Sequence, residues 1–190
     1  MTGTSPRGRS RRGRALRNLP MINLRKMKPS DATGVATIQV DCWKKAYAGI
    51  IPDKYLLALD VNAKAKTWES GLSLNPDVIR IVALEKNVPL GFVAGLENRS
   101  SAFYPEIASE AWSIYVHPDH WKKGIGKMLL LAFIEEMKKL KHKTMIVWAL
   151  EENLPARAFY EAMGGVLQNQ NQTQTFGGKS LTEVAYLFHL

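Results

Sequence analysis

Residues 113–130 read SIYVHPDHWKKGIGKMLL, and this stretch decides the fold. An apolar, strand-like run, AWSIYV (Ala111 to Val116), gives way through Gly124 and Gly126 to KMLLLAFIEEMKKL (Lys127 to Leu140). In that second run Leu129, Leu130, Phe133, Ile134 and Met137 recur at helical spacing. The pattern predicts a strand, a glycine turn and a helix N-terminus. The first turn of a helix has unpaired N–H groups at the positive end of the dipole, so glycines that bare the backbone there make an anion site, with phosphate the obvious anion. A tight strand-to-helix turn without a ligand is the other reading of the same two glycines.

Better-known phosphate signatures fail against the letters. A P-loop needs glycine at 121 and Ser or Thr at 128, where the chain has Trp121 and Met128. The dinucleotide pattern needs a third glycine where Leu129 stands.

Working outward, 190 residues suit a single domain with one sizeable core. No apolar run is long enough for a membrane span or a signal-peptide core, which predicts a cytoplasmic protein. The single cysteine, Cys42, sits on a periodic helix beside Trp43 and reads as core. With His117, His120, His142 and His189 it shows no metal-ligand spacing, so no metal is expected. The net charge of +9 is concentrated: residues 1–20 hold six arginines and no acid, leaving 20 basic against 17 acidic side chains in residues 21–190. Composition predicts that residues 1–20 are a disordered basic extension, read as an upstream leader or as an arm for nucleic acid, and that residues 21–190 are the folded domain.

From Met21 the elements alternate. A strand over Met21–Met27, a helix from Pro29 to about Ala48, a helical stretch opening at Ile51-Pro52-Asp53 and a helix near Ala63–Leu72 come first. Val78–Glu85 and Val88–Glu97 read as a hairpin around Lys86-Asn87. After the glycine-turn unit come a strand (Thr144–Leu150), a helix (Leu154 to Met163) and two strands, Val166–Thr175 and Leu181–Leu190, around Gly177-Gly178. This is a mixed α/β (α+β) domain with a β-α-β crossover after the glycine turn.

The order of elements and the letters at three places resemble the GNAT family of N-acetyltransferases. SIYVHPDHWKKGIGKMLL resembles its pyrophosphate signature, NLPARAFYEAMGG (Asn153 to Gly165) its second motif, and Glu110 in EAWSIYV the glutamate many members carry on the fourth strand. Trp121 stands where the signature has Gln or Arg. The resemblance covers about residues 21–190 and implies an acyl-CoA N-acyltransferase fold: a mostly antiparallel sheet of about seven strands with a splayed parallel pair, flanked by about four helices.

It further implies acetyl-CoA as co-substrate, with its arm between the parted strands on the backbone of Ile114, Tyr115 and Val116 and its diphosphate wrapped by Trp121, Lys122, Lys123, Gly124, Ile125, Gly126 and Lys127. Asn153 is expected to hold the pantetheine or to cap its helix. Tyr160 is expected to protonate the departing thiolate, or else to pack with Phe159. Glu110 is expected to take a proton from the amine, directly or through water, or else to make a strand-edge salt bridge. Trp43, Tyr47 and Trp112, with Tyr55 and Trp68, are expected either to line the acceptor pocket or to pack as core. The reaction implied is direct attack of a primary amine in a ternary complex. Expected partners are a small-molecule or peptide amine, no membrane, and no nucleic acid outside the basic tail; a homodimer stays open. Two other readings stand: a non-catalytic module that uses the basic tail on nucleic acid, and transfer from another acyl-CoA.

Overall fold

A computed structural model describes residues 21–99 and 104–190; the basic extension expected at residues 1–20 lies outside the described residues. Strands β1 (Asn23–Lys26), β2 (Ile79–Glu85), β3 (Val88–Glu97), β4 (Ser109–Val116), β5 (Thr144–Leu150), β6 (Val166–Phe176) and β7 (Lys179–His189) form one sheet ordered β1-β2-β3-β4-β5-β7-β6. Every neighbouring pair is antiparallel except β4–β5. The helices are α1 (Ala32–Ala46), α2 (Asp53–Leu57), α3 (Val61–Leu74), α4 (Ile125–Lys139) and α5 (Leu154–Ala162). Among the described residues they number five, one for each helical stretch read from the sequence. Asp60 interrupts the helical stretch after Pro52, its side chain accepting from the Ala63 N–H at 2.7 Å and so capping α3 as a separate helix.

The β2 run IRIVALE is apolar almost throughout because helices cover both of its faces. Ile81 and Ala83 pack with Leu129, Leu130, Phe133 and Met137 of α4; Val82 and Leu84 pack with Val35, Ile38 and Cys42 of α1. Those four α4 side chains are completely buried, and each contributes about 1.5–3 kcal/mol through removal from water. The β2–β3 turn has Lys86 at φ 49° and Asn87 at φ 68°, the two left-handed residues of a type I′ hairpin.

One irregularity positions the site. Between Ala94↔Ser113 and Gly95↔Ala111 the β3–β4 register shifts, so Trp112 is an extra residue, a β-bulge in β4. Ala111 packs on the α4 side, and after the bulge so do Ile114 and Val116. The odd spacing reverses the usual alternation, putting Glu110 and Tyr115 together on the opposite face. Gly95 permits this: a Cβ there would overlap the Glu110 carbonyl oxygen and lie 2.8 Å from Phe133 Cζ.

The first strand is fastened by a half-buried ion pair. Arg25 grips Asp31 with two parallel hydrogen bonds of 2.6 and 2.9 Å, and the Lys28 N–H donates to the same carboxylate at 2.7 Å. The guanidinium holds the Asp31 carboxyl below its usual range. A depressed folded-state value means the pair stabilises the protein fully above the unfolded-state pKa and is lost as pH falls through the folded value. Asp31→Asn is expected to cost about 2 kcal/mol at neutral pH, a melting-temperature loss of roughly 4–8 °C, with the gap to wild type closing below about pH 4. Thermal melts across pH check this.

Candidate active site

The parallel β4–β5 ladder is only two registered pairs long, Ser109↔Met145 and Glu110↔Ile146, with the Ser109 hydroxyl adding a bond to the Thr144 carbonyl at 2.8 Å. Beyond Glu110 the strands part where the bulge turns β4. β4 remains paired to β3 up to Val116, and β5 to β7 up to Leu150, so each keeps one edge unpaired and these edges face each other across a cleft. The His117 N–H donates to the Leu90 carbonyl at 2.8 Å. Alternation along an antiparallel ladder then turns the N–H and C=O groups of Val116 and Ile114 toward the cleft, while those of Tyr115 pair with Phe92.

At the cleft mouth the chain runs through a short 3₁₀ turn, Pro118–His120, to Gly124 and α4. Gly124 adopts φ 82°, a left-handed conformation that lets the chain enter the helix abruptly. The N-terminus of α4 has no side-chain cap and no acid in its first turn. Its leading amides are therefore open to an anion. Gly126 faces Phe159 of α5 and Val116 of β4; a Cβ there would make ordinary contacts of 3.4 and 3.8 Å.

Trp121 has a different job from a Gln or Arg. Its indole N–H donates to the Val116 carbonyl at 2.6 Å, and the Cys42 thiol reaches the same oxygen at 2.8 Å. Burial pushes that thiol up to about 12, so Cys42 acts as a protonated donor within the core. Lys123 is turned back, its ammonium donating to the Asp119 carbonyl at 2.8 Å, whereas Lys122 and Lys127 extend from the turn as exposed cations. Asn153 is buried and caps α5, its Oδ1 accepting from the Ala156 N–H at 3.3 Å; the cap leaves its NH₂ for another acceptor.

Tyr160 lies on the buried side of α5, its ring 5.3 Å from that of Phe159 and 5.8 Å from that of Tyr186. Burial, with a smaller contribution from Tyr115, raises its phenol far above the usual value, so it stays protonated at neutral pH. On the other face of the cleft the Trp43 indole donates to the Tyr115 hydroxyl at 3.0 Å, and Tyr47 sits beside it, its phenol also raised by burial. Trp43 packs with Tyr47, Tyr55 and Phe176 at ring separations of 5.2, 6.4 and 5.7 Å.

The other expected residues divide. Glu110 is 4% exposed and accepts from the Arg99 backbone N–H at 2.9 Å and its guanidinium at 3.4 Å. Trp112 lies under the same guanidinium, 4.4 Å from its ring centre, and its indole donates to the Glu97 carbonyl. Trp68 is set apart, stacked edge-on against Phe92 and bonded to Gln39 between the sheet and α1. The reading of the sequence passed over Glu183 of β7, a carboxylate raised by burial and by the charge of Glu110. One acid inside the otherwise apolar strand LTEVAYLF was the signal for it. Among the described residues no group of three or more His, Cys, Asp or Glu side chains is arranged to hold a metal, and no helix is long and apolar enough to cross a membrane.

The chain is 30% identical over 142 residues to the uncharacterized N-acetyltransferase YuaI of Bacillus subtilis, spanning 75% of this chain and 79% of the relative. Among solved structures it resembles the PaiA N-acetyltransferase from Thermoplasma acidophilum in complex with coenzyme A (TM-score 0.65, 21% identity, 86% of this chain and 98% of that one). It also resembles YncA from Salmonella typhimurium with its cofactor acetyl-CoA (TM-score 0.66, 21% identity, 89% and 94%). At those identities the structures speak for the shared fold, an acyl-CoA N-acyltransferase architecture. The family model for the acetyltransferase (GNAT) family matches residues 43–165, which takes in the bulged strand, the glycine turn and the α5 motif. The parted strands thus have a family attached to them: the chain is an N-acetyltransferase of the GNAT family.

Proposed function

We propose that the protein moves an acetyl group from acetyl-CoA to a primary amine by direct attack within a ternary complex. The observation that carries this reading is the uncapped N-terminus of α4 at the mouth of the β4–β5 cleft, with Tyr160 beside it. Such a terminus favours a diphosphate through its amides and dipole, and Lys122 and Lys127 add point charges. The free edge of β4 suits the pantetheine amides, which would pair with Ile114 as an added strand does; the Val116 carbonyl is held by Trp121 and Cys42, which leaves its N–H for the thioester. The Asn153 NH₂ is free to join them. Acetyl-CoA supplies an activated thioester; the remaining work belongs to the chain.

A backbone N–H at Val116 would polarise the thioester carbonyl, a role that needs no special side chain. An alkylammonium has a pKa near 10, so a proton must leave before attack. Glu110, held in place by Arg99, takes that proton through water, and Tyr160 gives one to the departing thiolate. Trp43 and Tyr47 would line the acceptor side, with Trp112 beyond Glu110.

The test is ligand-induced stabilisation followed by product analysis. Acetyl-CoA at 100 times its Kd should stabilise the fold by about 2.7 kcal/mol, raising the melting temperature by roughly 5–10 °C. Mass spectrometry of an amine panel with acetyl-, propionyl- and succinyl-CoA should show acetyl transferred fastest. No thermal shift with acetyl-CoA would overturn the coenzyme site, and faster transfer of a longer acyl group would overturn the donor.

A further inference from the structure

β7 carries a single charged side chain between Leu181 and Phe188, and that side chain is Glu183. Its register partners are Leu150, at the end of β5, and Gln172 of β6, whose Nε2 donates to Glu183 Oε2 at 2.9 Å. Alternation places it on the face of β7 that holds Leu181, which packs with the aromatic group of Trp43, Tyr47, Tyr55 and Phe176. Across the cleft the same face of the sheet holds Ile146 and its partner Glu110. The electrostatic couplings agree with this placement: Glu183 acts on Tyr47 and Tyr115, Tyr47 is acted on by Tyr160, and Glu110 acts on Glu183. Glu183 therefore stands with the tyrosines at the reacting end of the cleft.

Among the described residues Arg99 faces both carboxylates, and its backbone N–H and guanidinium are engaged by Glu110. Lys179, at the near end of β7, donates to the Ile50 carbonyl at 2.8 Å. A half-buried carboxylate on the face that also holds that aromatic group recognises a cation by charge, and the nearby rings add cation–π attraction.

Resting on the acetyltransferase reading above, we propose that Glu183 seats the ammonium group of the acceptor, and that the site selects primary amines with no carboxylate beside the nitrogen. An α-amino acid would bring its own carboxylate against Glu183 and Glu110. That like-charge contact is a penalty the matching amine avoids.

The test is steady-state kinetics of the full chain with saturating acetyl-CoA on three pairs differing by one carboxylate: phenethylamine and phenylalanine, isopentylamine and leucine, agmatine and arginine. The amine is expected to exceed its amino acid in kcat/KM by about 30-fold or more. Glu183→Gln, which keeps the shape and the Gln172 contact, should raise the amine KM about tenfold and shrink the preference to about threefold, without changing the KM for acetyl-CoA or the melting temperature. Glu183→Asp, retaining the charge, should keep the preference. Equal use of amino acids and amines, an unchanged amine KM in Glu183→Gln, or no transfer to any of the six compounds would overturn the inference. If the acetyl-CoA thermal shift persists in that last case, the coenzyme reading stands and only the acceptor assignment falls; if the shift is absent too, both fall.

Discussion

Tyr160→Phe lowers kcat for amine acetylation by about 100- to 1000-fold while leaving the Kd for acetyl-CoA within about twofold: this is the expected result if the phenol is the general acid. The loss corresponds to about 3–4 kcal/mol of transition-state stabilisation. The separation of effects follows from where the hydroxyl sits. The ring contributes its packing against Phe159 and Tyr186, which phenylalanine preserves. Burial and the neighbouring Tyr115 govern the phenol's ionisation, with no hydrogen bond from a described residue contributing. Removing the oxygen therefore strands no buried partner, and the melting temperature should stay within a few degrees of wild type. Steady-state kinetics with calorimetric binding of acetyl-CoA make the measurement. A variant that keeps kcat within threefold, or that loses coenzyme affinity and turnover together, would remove Tyr160 from the proton transfer.

Gly95→Ala is expected to destabilise the fold by about 3 kcal/mol or more, a melting-temperature loss of roughly 6–12 °C. An added methyl at this position meets backbone, namely the Glu110 carbonyl and the Ala111 Cα at 2.9 Å, as well as the completely buried Phe133 ring. Backbone in a paired strand yields little, so either β3 and β4 separate or the bulge is ironed out. Ironing it out would return β4 to regular alternation and send Glu110 and Tyr115 to opposite faces. Surviving folded protein should therefore also lose amine acetylation beyond its loss of stability. Thermal melts and activity normalised to folded protein test both parts. A variant as stable and as active as wild type would mean that the bulge is not what sets the site.

Much of this was legible in the letters because local chemistry and global fold agree. Lys86-Asn87 announces a hairpin since it is a two-residue gap between apolar runs and Asn tolerates positive φ, and the α4 stripe of Leu129, Leu130, Phe133 and Met137 is the stripe that is buried. The bulge was not legible. Nothing in EAWSIYV marks Trp112 as supernumerary, because the reason lies on another strand, in the missing side chain of Gly95. Trp121 was read against a signature that expects a polar side chain; that its N–H locks the turn onto Val116 depends on where β4 ends in space. Glu183 lies 73 positions from Glu110 along the chain, and only the crossing of β7 beside β5 makes them neighbours. The aromatic residues were the least separable. Trp43 on α1 and Trp68 on α3 read alike as aromatic residues on helices, yet one borders the cleft and the other packs, partly buried, between sheet and helix.

The short seam of Ser109 and Glu110 with Met145 and Ile146 has a mechanical meaning. The sheet is continuous in strand order, yet it is two leaves, β1-β2-β3-β4 and β5-β7-β6, stitched at one end by two residue pairs and a serine hydroxyl. The first leaf is braced at its far corner, where donors from α1 and from the turn before α4 converge on the carbonyl of Val116. The second leaf is tied to the α1 side of the opening by side chains, Lys179 donating to the Ile50 carbonyl and Leu150 and Leu181 packing with Trp43 and Tyr47, and not by strand pairing. Were the leaves to move, the ladder would place the pivot at the stitch, and an ångström of yielding there would be magnified at the far lip of the wedge.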